Sequence, residues 1–528
     1  MASVQNVRNV SDDKDWFFAN KPCGVTSHRS ERDEQGFHEW LMNQRSIPLT
    51  ICHRLDKETS GAMVFATSKV AAGHLGSLFQ ERKVKKEYWL VSDRVSRDKT
   101  WTVVDKEDEE SPAADIGQNS LYRAGGAQTT FEKVASHKGL SLYKAYPVTG
   151  KTHQIRKHAV RSGIPILGDK IYGGSSFPRL MLHSYSLTFP HNGIDKKFVC
   201  PPSRLFEDLS LCGDIDIANW VVAFERREIL FPDLVHSPDE SLRLFHQETG
   251  DLRGDKVGPH WILGWWKEEH PTDLELEKIE KCMTLLGQKN WTFQWRPSKA
   301  YQDNPEMVRK THDFPLQWIF QEGDLKYRAA LDRGHNFGLF LDQRERRKWV
   351  REKSQNLSVL NLFAFTCGFS LAAARGGAKR VVSVDTMSKY LRWGQENFQL
   401  NQLDPALYEF VTMDSFEYLD YAKKKGFKFD VIICDPPSFS RQKKSKKVFK
   451  IEKDAVPLLK LCSESLVPGG TLLFSTNFEK WDFKKWRQFL QDKASDLGFQ
   501  SCEASFSQWD HELGEKNAHL KAFFLKKA

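Results

Sequence analysis

From Asp15 to Val148, apolar and polar positions alternate in short runs: DWFFANKP, GAMVFATS, KKEYWLVS, TTFEKVA and SLYKAYPV, broken by Gly, Pro and Ser. Residues two apart on a strand share a face, so this rhythm predicts half-buried strands. One stretch between them, VAAGHLGSLFQER (70–82), is spaced like a helix. The combination predicts an α+β domain with a mostly antiparallel sheet. Further on the rhythm changes. SVLNLFAF (358–365), RVVSVD (380–385), FDVIICD (429–435) and GTLLFS (470–475) are runs of the kind buried on both faces. Helical patterns such as SLAAARGG, MSKYLRWGQENFQLN and AVPLLKLCSESL follow or separate them. That alternation predicts an α/β Rossmann-like domain with a parallel sheet covered on both sides.

Between the two lie the Trp-rich segments WILGWW (261–266) and WTFQW (291–295). A proline-marked break at CPPSRLFEDLSLCGD (200–214) and a weaker transition near 300–335 divide the chain. Three parts are expected: 1–212, an accessory α+β region 213–325, and 326–528. No repeat of solenoid period is present.

Composition narrows the picture without deciding it. The chain has 528 residues, 40% of them apolar, with 36 Phe and 16 Trp, which is ample material for several cores and excludes a disordered protein. No apolar run is long enough to span a bilayer, and MASVQNVRNVSDDKDWFF lacks the apolar region of a secretory signal, so a cytoplasmic location is expected. Nine cysteines occur without a CxxC pair, which argues against a disulfide framework or a zinc ribbon. The net charge of +9 permits nucleic-acid binding but does not demonstrate it.

The sharpest chemical feature is HRLDKETSGAMVFA (53–66), followed by KVKKEYW with Tyr88, TGKTHQIRKHAV with Arg156, and ILGDKIYG (166–173). Asp56 is a carboxylate among several cationic candidates, and a positioned, ionised carboxylate can act as nucleophile or base. Singly, these residues read as a surface salt bridge and a core aromatic. In combination they resemble the RluA-type RNA pseudouridine synthases, from Lys21-Pro22 to His183. HRLDKETSG matches the family's HRLDxxTSG without a break, and Lys86-Glu-Tyr88, Thr149–Arg156 and Gly168–Tyr172 follow in the family's order. The resemblance implies that Asp56 attacks or deprotonates the ribosyl part of a flipped uridine, whose base then rotates and rejoins through carbon 5. It implies that Tyr88 stacks on the uracil and serves in proton removal, that Arg156 ion-pairs with Asp56, and that Arg54 fills the space of the extruded nucleotide. No cofactor is implied for this half.

In the C-terminal part, VLNLFAFTCGFSLAAARGGAKRVVSVD (359–385) reads as strand, glycine turn, helix and a strand ending in an acid. Asp385 at such a tip suits the two hydroxyls of a ribose, and the absence of GxGxxG favours a nucleoside cofactor without phosphates over NAD. FDVIICDPPSFS (429–440) ends a strand in Asp435-Pro436-Pro437, where the chain must leave the sheet. Together these segments resemble class I S-adenosylmethionine-dependent methyltransferases, close to the guanine-N7 methylating half of the bifunctional large-subunit rRNA enzymes. The resemblance rests on Gly338–Arg344 (GLFLDQR), Asn361, Asp385, Asp414, Asp435–Ser440 and Phe474–Asn477 (FSTN). It implies S-adenosylmethionine held by Asn361, Phe363, Thr366, Gly368, Asp385, Asp414, Asp435 and Pro436. Asp385 would hold the ribose, Asp414 would face the adenine, and Asp435 would lie between cofactor and acceptor base. Where the family has Thr-Gly-Gly or Thr-Gly-Ser, this chain has Thr366-Cys367-Gly368. A Cβ at 367 challenges the backbone angles open to Gly, while Gly368 keeps one permissive position and cofactor binding is expected to survive.

Carbon-5 methylation of a pyrimidine needs a thiolate. The cytosine-C5 relatives carry that Cys after Phe-Ser, where Thr476-Asn477 stands here, and Cys434 reads as core. Transfer to a ring nitrogen or amine is therefore favoured. Beyond DPPSFS, RQKKSKKVFK (441–450) is strongly basic, and Lys443, Lys444, Lys446 and Lys447 are expected to contact RNA phosphates beside Phe439. Lys83, Lys85 and Lys86 are expected to do the same around Tyr88. The sequence thus predicts a bifunctional RNA-modifying enzyme whose partner is RNA, by resemblance large-subunit rRNA, with no metal and no membrane. The alternative is an active isomerase joined to an RNA-binding or ribosome-assembly module. Oligomeric state is not legible.

Overall fold

The computed structural model describes residues 15–29, 36–45, 47–105, 126–297, 306–334, 336–441, 448–505 and 520–528. The chain divides into two compact units. The first comprises residues up to Pro232 together with Leu276–Leu286, and the second comprises Asp233–Glu275 and Gly287–Ala528. The helix Ile215–Leu230 therefore lies with the first unit, and the Trp-rich strands lie with the second.

In the first unit nine strands form one sheet. The strand Ser60–Ala66, second in the order and buried at all seven positions, pairs antiparallel with Trp16–Lys21 and parallel with Leu182–His191. Leu182–His191 pairs in turn with Lys85–Ser92, and Leu140–Pro147, Gln128–His137 and Thr100–Val104 follow outward, all antiparallel. One face is covered by the helix Lys69–Gln80, whose first turn is capped by Ser68 Oγ accepting from Ala71 N–H. Its Ala71, Leu75 and Leu78 pack with Trp16, Phe18, Val64 and Phe198. Gly61 in the TSG motif sits at φ +114°, and a Cβ there would meet Ser184 O at 2.2 Å, so only glycine lets the parallel pair form.

The second unit opens with a five-stranded sheet containing Ser241–Phe245, Leu252–Val257, His260–Trp265, Trp291–Trp295 and Glu306–Lys310, then a hairpin, Gln317–Glu322 and Leu325–Ala330. The hairpin is tied to the helix Arg344–Lys353 by a buried bidentate pair, Arg347 Nε and Nη2 to the two carboxylate oxygens of Glu322 at 2.7 and 2.5 Å. A seven-stranded sheet follows. Taking its strands in chain order, they lie third, second, first, fourth, fifth, seventh, sixth. The first five are parallel, and the seventh, Lys521–Lys527, runs antiparallel between the fifth and the sixth. Val359, Val381, Val431 and Leu473 point into one core, while Leu360, Val382, Ile432 and Leu472 point into the other. Burial on both faces accounts for the unbroken apolar runs.

Candidate active sites

Asp56 sits on a loop that its neighbours hold from three sides. His53 Nε2 accepts from Val64 N–H at 3.0 Å, and Ser27 Oγ bridges Leu55, donating to its carbonyl at 2.7 Å and accepting from its N–H at 3.0 Å. Lys21, fully buried, donates from Nζ to the carbonyls of Pro22, Val25 and Lys57 at 2.9, 2.7 and 3.1 Å. Burial lowers the Lys21 ammonium to about 7 and the His53 imidazole to about 3. Both side chains serve as framework for the loop. The Asp56 carboxylate itself stays 33% exposed, as a group that meets a substrate must.

Around Asp56 the structure gathers Tyr88, His153 and Arg156. The strand Lys85–Ser92 carries a bulge between Glu87 and Tyr88, a device that re-aims a side chain. Burial raises the Tyr88 phenol to about 12, tempered by a hydrogen bond with Ser184 and reinforced by the charge of Asp56. His153 begins the helix Gln154–Arg161 in the left-handed conformation at φ 54°, placing Nε2 3.8 Å from Asp56 Oδ2 and Nδ1 3.0 Å from Tyr172 Oη. Burial lowers the His153 pKa, against the opposing pull of Asp56.

Arg156 corrects one expectation. Its guanidinium does not ion-pair with Asp56 but makes a bidentate bond to Asp169, Nε and Nη2 at 2.7 and 2.6 Å. Asp169 also accepts from the N–H groups of Ile171 and Tyr172, and the guanidinium lies over the Tyr172 ring at 5.0 Å. Asp169 sits in a tight turn with its oxygens already converging on Arg156, whereas Asp56 faces the surface. Asp56 still contributes to holding Arg156 charged. Arg54 is exposed at the rim.

The lysines near Tyr88 differ from one another. Lys86 donates to Thr149 O at 2.7 Å, with burial lowering it to about 8, so it buttresses the interior rather than presenting charge to RNA. Lys85 pairs with Asp195 at 3.2 Å and Lys83 with Glu81 at 2.6 Å, both exposed. Lys443, Lys444, Lys446 and Lys447 lie outside the described residues.

In the second unit the candidate cofactor site lies at the carboxyl ends of the parallel strands. Asp385 ends the second strand, and its two oxygens accept from Met387 and Phe365 N–H at 2.8 and 2.9 Å, while burial raises its pKa. Each oxygen keeps a lone pair, which fits a ribose diol. The turn after the first strand holds Phe363, Phe365 and Cys367 in the left-handed region at φ 54°, 47° and 61°. Three such residues in five concentrate strain at one spot, of order 1–3 kcal/mol each, as at ligand sites. Cys367 itself takes the left-handed angle, and Gly368 instead opens the following helix, where a Cβ would meet Leu339 Cδ1 at 2.9 Å. Gly368 thus provides space rather than conformational freedom. The Cys367 side chain is fully buried against Gly394, where an added Cβ would lie 2.5 Å from Sγ. Asn361 donates to Ser370 Oγ at 2.9 Å and Thr366 Oγ1 to Gly338 O at 2.5 Å, so both hold the turn's shape. Asp414 caps the helix Ser415–Lys425 by accepting from Phe416 and Glu417 N–H.

Asp435 immediately follows the fourth strand, Phe429–Cys434. Ser475 Oγ donates to Oδ1 at 2.6 Å and Gln343 Nε2 to Oδ2 at 2.9 Å. Burial raises this carboxyl to about 6, with Asp342 pushing the same way. Pro436 is buried behind it and Phe439 stands 58% exposed beyond. Cys434 is fully buried with its thiol pushed far up, as a core residue. Gln343 and Ser475 were legible only as members of GLFLDQR and FSTN, not as partners of Asp435.

Two family models match the chain: residues 15–160 as RNA pseudouridylate synthase and 301–485 as S-adenosylmethionine-dependent methyltransferase. The chain therefore carries an RNA pseudouridylate synthase domain followed by an S-adenosylmethionine-dependent methyltransferase domain. Among relatives, the large-subunit methyltransferase homologue YwbD of Bacillus subtilis strain 168 is 38% identical over 47% of this chain and 64% of its own length. The ribosomal RNA large subunit methyltransferase K/L of Psychrobacter sp. strain PRwf-1 is 44% identical over 28% of this chain, and only 18% of that protein is spanned. The chain thus spans less than two thirds of the length of either relative. The solved structure of SMU.776 complexed with SAH covers 65% of this chain and 88% of its own at 24% identity and TM-score 0.52, a likeness of fold. No helix among the described residues is long and apolar enough to cross a membrane.

Proposed function

We propose that this chain modifies RNA twice, isomerising a uridine in its first unit and methylating a guanine nitrogen of large-subunit rRNA in its second. The observation that carries the first half is Asp56, partly exposed on a loop fixed by Lys21, Ser27 and His53, with Tyr88 and His153 beside it. Asp56 attacks or deprotonates the ribosyl carbon framework, the C1′–N1 bond breaks, and the turned base rejoins through C5. The C5 hydrogen leaves as a proton and N1 gains one, so the step is a pure isomerisation. The Tyr88 phenol, held near 12 and so protonated in the resting site, is the stacking platform for the uracil and, beside Asp56, serves in removing the C5 proton. Arg156 acts through Asp169 and Tyr172, shaping the wall of the site, and Arg54 at the rim fits the flipped-out strand.

For the second half, Asp385, the strained turn 363–367 and the capping Asp414 form the cradle suited to S-adenosylmethionine, which when bound supplies an electrophilic methyl group. Asp435 orients the acceptor base at the strand end, with Phe439 as a stacking surface and the 441–450 segment supplying positive charge. The relatives named as large-subunit rRNA methyltransferases support rRNA as the substrate. Incubating undermodified large-subunit rRNA with the pure chain tests the reading: pseudouridine and a methylguanosine form together, and Asp435→Ala removes only the second. Absence of both products from every large-subunit segment refutes it.

A further inference from the structure

Beside Asp435 lies a buried acceptor that the chain itself leaves unmet. Gln343 is 1% exposed, and its Nε2 donates both to Asp435 Oδ2 at 2.9 Å and to Ser475 Oγ at 3.0 Å. These two acceptors fix the orientation of the amide, because turning it over would set a carbonyl oxygen against a carboxylate. Gln343 Oε1 then finds no hydrogen-bond partner among the described residues. A buried acceptor without a donor is costly, and its retention in the turn Leu341–Gln343, beside the carboxyl ends of the fourth and fifth strands where α/β sheets bind ligands, points to a donor that arrives with a ligand.

We propose that Gln343 is the residue that reads the acceptor base, its Oε1 accepting from the N2 amino group of guanine while Asp435 accepts from N1–H. This rests on the reading that the second unit methylates an RNA base, and it names the group that selects which base. Two acceptors on side chains that are hydrogen-bonded to each other suit a ligand edge with two adjacent donors. Guanine alone among the four bases has them on one edge: adenine and cytosine set an amino group beside an acceptor nitrogen, and uracil sets one N–H between two carbonyls. The N7 atom lies on a different edge of the same ring system and is left free to face a methyl donor. Gln343 draws its partners from the ends of the fourth and fifth strands, whereas Asp385 ends the second, on the far side of the first. The unmet oxygen therefore belongs to the acceptor side of the site rather than to the nucleoside of the cofactor.

The test measures transfer from tritiated S-adenosylmethionine to one rRNA fragment carrying guanosine or, by splint ligation, inosine at the modified nucleotide. Inosine lacks only the N2 amino group. The wild-type chain should lose about 3- to 10-fold in kcat/KM on inosine, the worth of one neutral hydrogen bond. Gln343→Leu should lose a similar factor on guanosine and no longer distinguish the two RNAs, with cofactor affinity by calorimetry unchanged. Equal wild-type rates on both RNAs, or discrimination that survives in Gln343→Leu, overturns the proposal. Lost cofactor affinity in a variant that melts normally also overturns it, by assigning Oε1 to the cofactor. If the wild type methylates no RNA, the underlying reading of the unit fails instead. Should Gln343→Leu not fold, Gln343→Met and the wild-type response to inosine decide the same question.

Discussion

Replacing Asp435 by Asn should abolish methyl transfer and at the same time make the second unit more stable. Burial raises the Asp435 carboxyl from 3.8 to about 6. At about 1.36 kcal/mol per pH unit, keeping it ionised costs the fold about 3 kcal/mol at neutral pH. The folded site binds a proton more tightly than the unfolded chain does. The cost is therefore absent below pH 3.8, grows as pH rises through 3.8 to 6, and is complete above 6. Asn retains an acceptor for Gln343 and no longer carries charge. Allowing for its partial exposure, the expected gain at pH 7.5 is about 1–3 kcal/mol, or a melting shift of about 2–8 °C, and roughly half that at pH 5. Calorimetry on the whole chain reads it, the transition of the second unit being the one that S-adenosylmethionine moves upward in the wild type. A variant that melts lower, or a gain that does not shrink towards pH 5, would refute the electrostatic account of this site.

Other substitutions test the remaining contacts. Lys21→Met leaves three carbonyls of the Asp56 loop without their donor, and should cost the first unit about 3–5 kcal/mol in a denaturant titration and most of its isomerase rate. A double-mutant cycle should give a coupling of about 3 kcal/mol between Arg156 and Asp169, against less than about 1 kcal/mol between Arg156 and Asp56, and the reverse order would restore the direct pair. Gly394→Ala drives a Cβ to 2.5 Å from Cys367 Sγ and should destabilise the second unit by about 1–3 kcal/mol. Cys367→Gly in the same chain should recover most of that loss in a thermal melt, and an additive double variant would contradict the packing described.

Period-two runs located Trp16–Lys21, Ser60–Ala66 and Lys85–Ser92, although Ser60–Ala66 is buried at all seven positions and Trp16–Lys21 on nearly all of its six, rather than half-buried on one face. Leu182–His191 escaped the pattern although it joins the halves of the sheet, since its polar residues are held in the interior by long-range partners: His183 Nδ1 bonds Ser60 Oγ at 2.8 Å. The buried runs of the parallel sheet were plain for the opposite reason, each residue facing one of two cores. At the sites, residue types were readable and pairings were not. Arg156 had two aspartates in reach of the sequence motifs, and only the turn at 169–172, with its converging N–H groups, decides between them. Gln343 and Ser475 stand 132 positions apart, so their shared grip on Asp435 exists only in the folded sheet. The Cys367 departure could be seen as a letter, while its accommodation depends on a glycine in the next helix.

The most direct test of one chain with two independent chemistries is nucleoside mass spectrometry of large-subunit rRNA after reaction with wild type, Asp56→Asn and Asp435→Asn. The account predicts that Asp56→Asn loses pseudouridine alone and Asp435→Asn loses methylguanosine alone. Pseudouridine made at the wild-type rate by Asp56→Asn, or methylguanosine made at that rate by Asp435→Asn, would contradict it.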